Sequence, residues 1–478
     1  VLQRYQKAVI MSSRMEHKLL REAHALFIAP PVYDFALFDL FLRPYGLLRS
    51  AALFEQSGYE ISFIDALDPF DRETAALYGR YPKRKGAGRG KFFRRPAKLP
   101  EGVLGIKRQF SRYGIDRSVL EAKLKALNGR RGPDIICIGT GMTYWYPGVL
   151  EVIHLSRQIW PDTPIVAGGV YASLLPDHLE SLGGNLKAIA GALDRGGAGR
   201  KVLDTFLMEE LLVPLSGDLP RYPPMMPLKS GWDPWAEWYP GIMVPESRHG
   251  KMDLHPALVR DGGAVIRLNR GCPYRCDYCA SRLLEPACIA GDIDSLYEYI
   301  KALSKEGVKS FAFYDDALLL NKEEQLLPLL EKLIQNLPGL SFFTPNAMHL
   351  RMMDRETAEL MRRSGFRDLR FGYESNSEEF HLLHDRKYRP GEATAAFDAL
   401  KQAGFRQNEV LLYVLGGLPG QKKKELLTSI RSARESGFQV QVAEYSPVPG
   451  TLMWEESVRL ARFPIAEEPL YQNNSFKP

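Results

Sequence analysis

Arg270-Gly271-Cys272-Pro273-Tyr274-Arg275-Cys276-Asp277-Tyr278-Cys279 holds three of the chain's five cysteines within eight residues, at the spacing Cys-x3-Cys-x2-Cys. Thiolates this close can all face one metal centre, and soft sulfur ligands select iron–sulfur clusters or zinc. A structural zinc site wants a fourth Cys or His at ordinary spacing. Cys288 lies nine residues beyond Cys279, past Pro286, so spacing alone leaves a four-cysteine set open. Three cysteines on a [4Fe–4S] cluster would leave one iron free, which suits a substrate ligand better than a structural role.

The surroundings of this loop are α/β in pattern. Apolar runs predict strands over 264–268, 310–314, 340–343, 369–372, 410–415 and 440–445, and helical spacing appears over 293–304, 322–335, 355–364, 391–403 and 422–436. Right-handed crossovers would curl six such strands into an incomplete, TIM-like (β/α)6 barrel over 263–450. The C-terminal tail, 451–478, is too short for the two further units that would close it. A lateral mouth is therefore expected.

At the cysteine loop the chain resembles the radical S-adenosylmethionine (SAM) superfamily, whose signature is a Cys-x3-Cys-x-aromatic-Cys loop after the first strand of a partial barrel. The resemblance implies Cys272, Cys276 and Cys279 as ligands of a [4Fe–4S] cluster, with Tyr278 at the aromatic position. In that family the open iron chelates the amino and carboxylate groups of SAM, and an electron from the cluster cleaves it to a 5′-deoxyadenosyl radical. Further SAM contacts are implied by position. Tyr314, Asp315 and Asp316 end the second strand, where relatives bind the amino group, often through a Gly-Gly-Glu run that is missing here; helix capping competes as a role for the two aspartates. Asn346 follows the third strand, and Glu374 ends the fourth, where relatives hold the ribose. Gly416, in Gly416-Gly417-Leu418-Pro419-Gly420, and Pro447, in the turn 445–451, fall at adenine-side positions.

Residues 24–205 form an earlier α/β series, with strands predicted over 25–29, 61–64, 135–138, 165–167 and 187–190 and helices over 46–57 and 149–160. This is the pattern of a doubly wound, Rossmann-like parallel sheet, whose ligands bind beyond the carboxyl ends of the strands. Ahead of such a barrel it resembles the cobalamin-binding domain of cobalamin-dependent radical enzymes. That implies corrin contacts from Thr140, Gly141, Met142 and Thr143 after one strand, and from Gly168, Gly169, Val170, Tyr171 and Ser173 after the next. The Asp-x-His-x-x-Gly motif of methylcobalamin proteins is absent: Asp177-His178 and Asp253-Leu254-His255 do not fit it, so no histidine is assigned as lower axial ligand.

Composition bounds the rest. With 45% hydrophobic and 25% charged residues in 478, the chain is globular and multidomain rather than disordered, collagenous or coiled-coil. Its net charge of +6 is concentrated: residues 80–112 carry twelve basic residues and one acid, Glu101, so the remainder is mildly acidic. This insert reads as a solvated basic loop or arm, or as an anion- or RNA-binding element. Residues 206–262 read as a linker, whose Trp232, Trp235 and Trp238 predict packing between domains or over a pocket. Residues 1–23 are a polar extension, unlike a secretory signal. With no apolar run of about 18 residues and few cysteines, a cytoplasmic protein is expected. Cys137 and Cys288 are read as packed thiols, and His349, His381 and His384 as surface or core-edge residues.

The function expected is a radical SAM enzyme, with cobalamin-dependent methylation of an unactivated carbon, or of a phosphinate-type phosphorus, as its reaction. Ring formation, rearrangement or RNA modification stand as alternatives, as does a non-catalytic corrinoid or iron–sulfur sensor or electron carrier. Expected partners are a small-molecule or peptide substrate and a one-electron reductant of flavodoxin or ferredoxin type.

Overall fold

The computed structural model describes residues 23–130, 132–222, 257–387, 389 and 391–476. The Trp-rich run 232–238 lies outside them, as does the extension up to residue 22. Five parallel strands form the first sheet: β1 (His24–Ala29), β2 (Glu60–Asp65), β3 (Ile135–Thr140), β4 (Ile165–Gly169) and β5 (Leu186–Ile189), in the order β5-β4-β3-β1-β2. Every residue of β1 is buried, as expected of a central strand covered on both faces. Its side chains alternate: Ala25 and Phe27 join the core that continues into the second half of the chain, while Leu26 and Ile28 join a core confined mainly to the first. Strand order reverses between β1 and β3, and a doubly wound sheet opens a ligand crevice at that point.

The barrel strands are β6 (Gly263–Ile266), β7 (Ser310–Phe313), β8 (Ser341–Phe343), β9 (Leu369–Glu374), β10 (Val410–Gly416) and β11 (Gln439–Glu444), at the predicted places. They do not form one continuous ladder. β6-β7-β8 is one sheet, and β9-β10-β11 with the two-residue strand Met348–His349 is another. A single bridge, Phe342 to Phe366, and an Arg370 N–H donated to Thr344 Oγ1 at 3.1 Å span the seam between them. β8 is short, so the chain after it is free to turn inward at Asn346.

Three expectations are corrected. The basic insert is folded, not a free arm: its segments Arg84–Gly86 and Arg89–Gly90 pair with each other, and Arg94–Pro96 pairs with Ser111–Tyr113. The insert's arginines find carboxylates, with Arg84 on Asp39 (2.7 Å) and Asp261 (2.8 Å), Arg89 on Asp368 (2.7 Å), and buried Arg112 forked on Glu151. Composition does not register those partners because they lie far away in sequence. The helix Ala198–Glu210 runs past the expected domain end at 205, since Leu203 and Leu207 are buried against the sheet. The C-terminal tail is not an appendage either. Ile465, Leu470, Tyr471 and Phe476 enter the core of the first domain, Gln472 accepts from Thr143, and Asn473 donates to Asp34 at 2.9 Å. The chain therefore leaves the barrel and returns to strap its first half.

A buried charge network fixes the two halves together. Arg260, entering β6, has a fully buried side chain. It pairs with Asp65 at the end of β2, lies 3.5 Å from Asp39, and donates to Leu42 O at 2.9 Å. Asp39 is shared with Arg43 and Arg84.

Candidate active site

The cysteine loop leaves β6 and is held from both sides. Arg270, just before it, forms two 2.8 Å contacts with Asp194 of the first domain and a 2.7 Å pair with Glu285. On the other side a π-helical turn, His381–Asp385, packs on the loop: Asp385 accepts from the Tyr278 hydroxyl (2.9 Å), and His384 pairs with Asp277 (2.9 Å). Gly271 adopts φ +77, and a Cβ there would meet Ala287 O at 2.4 Å, so glycine is required where the loop turns.

Cys272, Cys276 and Cys279 line one cavity of about 690 Å³, together with Ser281, Asp316, Asn346, His349, Lys387 and Tyr413. Among the described residues no three potential ligands close to the spacing of a single ion. The three cysteines share the lining of one cavity. Burial pushes the Cys272 thiol up to about 11 and Cys276 up to about 12. Thiolates here therefore need a cationic metal centre to offset desolvation. Cys288 is exposed and does not line this cavity, which corrects the expectation that it is buried and leaves it outside the ligand set.

The other predicted SAM-side residues divide. Asp316 faces the cavity, with Arg267 2.8 Å away and Ser281 Oγ donating at 3.4 Å. Asn346 also lines it, its amide donating to Tyr314 O at 3.1 Å. Asp315 is corrected to a brace: it is buried and accepts the backbone N–H groups of Leu268 (3.0 Å) and Asn269 (2.5 Å). Tyr314 is likewise turned away from the cysteines, its hydroxyl donating to Phe41 O and accepting from Arg43 N (3.1 Å). Tyr278 is not among the cavity's lining residues; it packs with Phe380 and Leu415 behind the loop. Glu374 is buried behind the lining, with Lys387 Nζ 2.5 Å away. Its φ of +58 is unusual for a non-glycine residue and coincides with a register shift between Gly372 and Glu374 that re-aims the side chain. Gly372 makes room for it, because a Cβ there would lie 2.3 Å from Glu374 Oε1. Gly416 packs against Val442, and Pro447 lines a separate small cavity under the tail, so neither reaches the cysteine cavity; Gly450, Thr451 and Leu452 of the same turn region do.

Sequence reasoning missed Lys387, Tyr413 and the burial of His349. His349 stacks on Tyr274 of the cysteine loop, with ring centroids 4.7 Å apart, and burial lowers its pKa to about 3, so it is neutral. None of the three carries a local motif. Lys387 follows the π-helical turn, which no sequence period announces.

A second cavity, of about 540 Å³, lies at the β1/β3 switch point between the sheet edge and the barrel. Thr140, Gly141, Gly168, Gly169, Val170 and Ser173 line it, facing Arg267, Arg270, Ser281, Tyr314 and Asp316. Two of these glycines, Gly141 and Gly169, are demanded by space. A Cβ on Gly141 would meet the Trp145 ring at 2.6 Å, and one on Gly169, at φ +123, would meet Thr140 O at 2.2 Å. Three calls are corrected, since none of these residues lines the cavity: Met142 is exposed, Thr143 is buried on Gln472, and Tyr171 is fully buried with its hydroxyl on His178. They point into the helix layer or solvent because a turn, unlike a strand, does not present successive residues to one side. Ser281 and Asp316 line both cavities, which are therefore neighbours across these two side chains.

Residues 266–433 match the family model described as the Radical SAM superfamily. That segment of the chain therefore carries a radical SAM domain, the domain of an enzyme superfamily that works with SAM and a [4Fe–4S] cluster. Its likeness to known proteins extends well beyond the barrel. It is 21% identical over 472 residues to cytidylyl-2-hydroxyethylphosphonate methyltransferase of Streptomyces wedmorensis, covering 90% of this chain and 80% of that protein. It is 24% identical over 349 residues to an uncharacterized methyltransferase of Pyrococcus horikoshii, covering 68% and 70% respectively. In fold it is similar to the radical SAM methyltransferase TsrM of Kitasatospora setae, solved with cobalamin and a [4Fe–4S] cluster, at a TM-score of 0.59, 14% identity and coverage of 93% of this chain and 76% of that one. A second TsrM structure, with tryptophan and a SAM analogue, gives a TM-score of 0.60 at 15% identity. No helix among the described residues is long and apolar enough to cross a membrane.

Proposed function

We propose that this chain is a cobalamin-dependent radical SAM methyltransferase acting on a carbon of a small-molecule or peptide substrate. The observation that carries the reading is that the two cavities are neighbours sharing Ser281 and Asp316. A corrin at the sheet edge and a SAM-bearing cluster on the cysteines would then lie on either side of that pair. A cluster with SAM supplies radical-generating electron transfer, and cobalamin supplies a transferable methyl group. The chain's own residues hold and orient. Cys272, Cys276 and Cys279 bind iron, Asp316 offers a carboxylate to the SAM ammonium, and Gly141 and Gly169 bring backbone close to the corrin. Arg270 on Asp194 keeps the cluster loop in register with the cobalamin domain. The methyl group, rather than ring formation or rearrangement, is supported by the methyltransferase names of both sequence relatives.

The test is anaerobic purification with cluster reconstitution. The expected outcome is one cobalamin and one [4Fe–4S] cluster per chain, with 5′-deoxyadenosine or S-adenosylhomocysteine formed from SAM under a flavodoxin-type or artificial reductant. Cys276→Ala should lose the cluster and both products. A protein that binds both cofactors and yields neither product is a sensor or carrier, and the reading fails.

A further inference from the structure

The basic insert is the one sequence feature the catalytic reading leaves unused. With the loop 35–38 it forms a third cavity, of about 590 Å³, distinct from the two above. Its walls are rings, among them Phe93 and Tyr113, both buried, and Phe38 and Tyr81, which are 41% and 49% exposed. Its rim is cationic, formed by Arg80, Lys83, Lys91 and Arg94, all exposed. No Asp or Glu lines it.

The insert thus uses its basic residues in two ways. Arg84, Arg89, Arg95 and Arg112 each sit on a carboxylate and hold the fold. Among the described residues, no ion pair reaches Arg80, Lys83, Lys91 or Arg94, although acids are plentiful elsewhere in the chain. Four unneutralised cations around one concavity concentrate positive potential there. The half-exposed Tyr81 ring beside such a rim offers stacking to a planar group, whereas the Phe38 ring already carries Lys85 Nζ 5.5 Å from its centroid. The volume falls in the range of small-ligand sites rather than of a flat macromolecular interface.

We propose that this cavity is a binding site for a nucleoside phosphate, with the base stacked on Tyr81 and the phosphates held by Arg80, Lys83, Lys91 and Arg94. The same chemistry is offered by a free nucleotide, by a nucleotidyl group on a larger molecule, or by a nucleotide within RNA. The site adjoins the cofactor cavity: Val32 and Leu67, which line that cavity, pack in one small cluster with Phe92 and Tyr113, which line this one.

Calorimetry on the full chain tests the proposal, using the four nucleoside 5′-diphosphates, inorganic pyrophosphate and a 12-nucleotide single-stranded RNA as probes. At least one diphosphate should bind one per chain with Kd below about 100 μM, with pyrophosphate roughly tenfold weaker or worse. Tyr81→Ala should weaken nucleotide binding about tenfold, and Lys83→Ala with Arg94→Ala should weaken it at least as much, cofactor content being unchanged in both. RNA binding that exceeds the nucleotides and shows the same sensitivity places the ligand in a strand; equal or weaker RNA binding makes it a free or small-molecule-borne nucleotide. Cys276→Ala should leave the affinity unaltered, so this result and the radical chemistry fail separately. The proposal is overturned if no probe binds at about 1 mM, if the variants bind as the parent does, or if pyrophosphate binds as tightly as the nucleotides.

Discussion

Replacing Arg260 with methionine tests how the two halves are joined. The substitution removes a fully buried guanidinium from Asp65, Asp39 and Leu42 O. Asp39 retains Arg43 at 3.3 Å and Arg84 at 2.7 Å. Asp65 retains no other ion pair among the described residues, only the backbone N–H of Leu67 at 3.0 Å and the more distant charge of Arg43. The cost therefore falls on one stranded carboxylate, and breaking a buried pair in this way costs about 3–5 kcal/mol. Urea denaturation of Arg260→Met should show a loss of that size in the transition of the first domain. Because Arg260 and Asp65 both line the switch-point cavity, the variant should also retain less cobalamin on gel filtration. Adding Asp65→Asn removes the stranded charge and should restore at least about 2 kcal/mol. The reasoning is refuted if Arg260→Met lies within about 1 kcal/mol of the parent, or if the double variant is no more stable than the single one.

Further outcomes follow from other sites. Gly169→Ala, which sets a Cβ 2.2 Å from Thr140 O at φ +123, should abolish cobalamin retention while leaving iron content intact, as read by absorbance and iron assay. Asp316→Asn removes the carboxylate shared by both cavities and should raise the KM for SAM more than it lowers cobalamin content. His349 is held neutral, its pKa lowered to about 3 by burial, so its contribution to stability is present above pH 6.5 and is lost as pH falls from there towards 3. His349→Phe should flatten that acid limb by up to about 3 kcal/mol between pH 6.5 and 4 in pH-dependent urea titrations of the apo chain.

Much of the architecture was legible because it is written in local periodicity. The strand and helix series of both halves, and the open six-stranded barrel, follow from short apolar runs alternating with amphipathic ones. The split at the seam was not legible, because β8 differs from its neighbours only in how few of its residues find partners. The site followed the same division. The cysteine triad and the glycines at 141, 168 and 169 announce themselves by spacing and residue type. Asp315 and Asp316 are adjacent and chemically identical, yet one braces the backbone of the β6 end and the other faces both cavities. Their opposite orientation is decided where β7 ends.

The amino-acid sequence alone determined the ligand loop, the class of cofactor it holds and the two-part α/β plan, since these depend on residues close together in the chain. Tertiary structure alone decided where charge resides. The insert's Arg84, Arg89 and Arg112 became fold-holding ion pairs with Asp39, Asp261, Asp368 and Glu151, residues 39 to 279 positions away, while four neighbouring cations remained open to solvent. It also decided that the tail returns to the first domain and that the two cavities share Ser281 and Asp316. The physical reason is common to all three: Coulomb attraction and burial act through space, and no count of residues along the chain records which distant partner folding will bring within 3 Å.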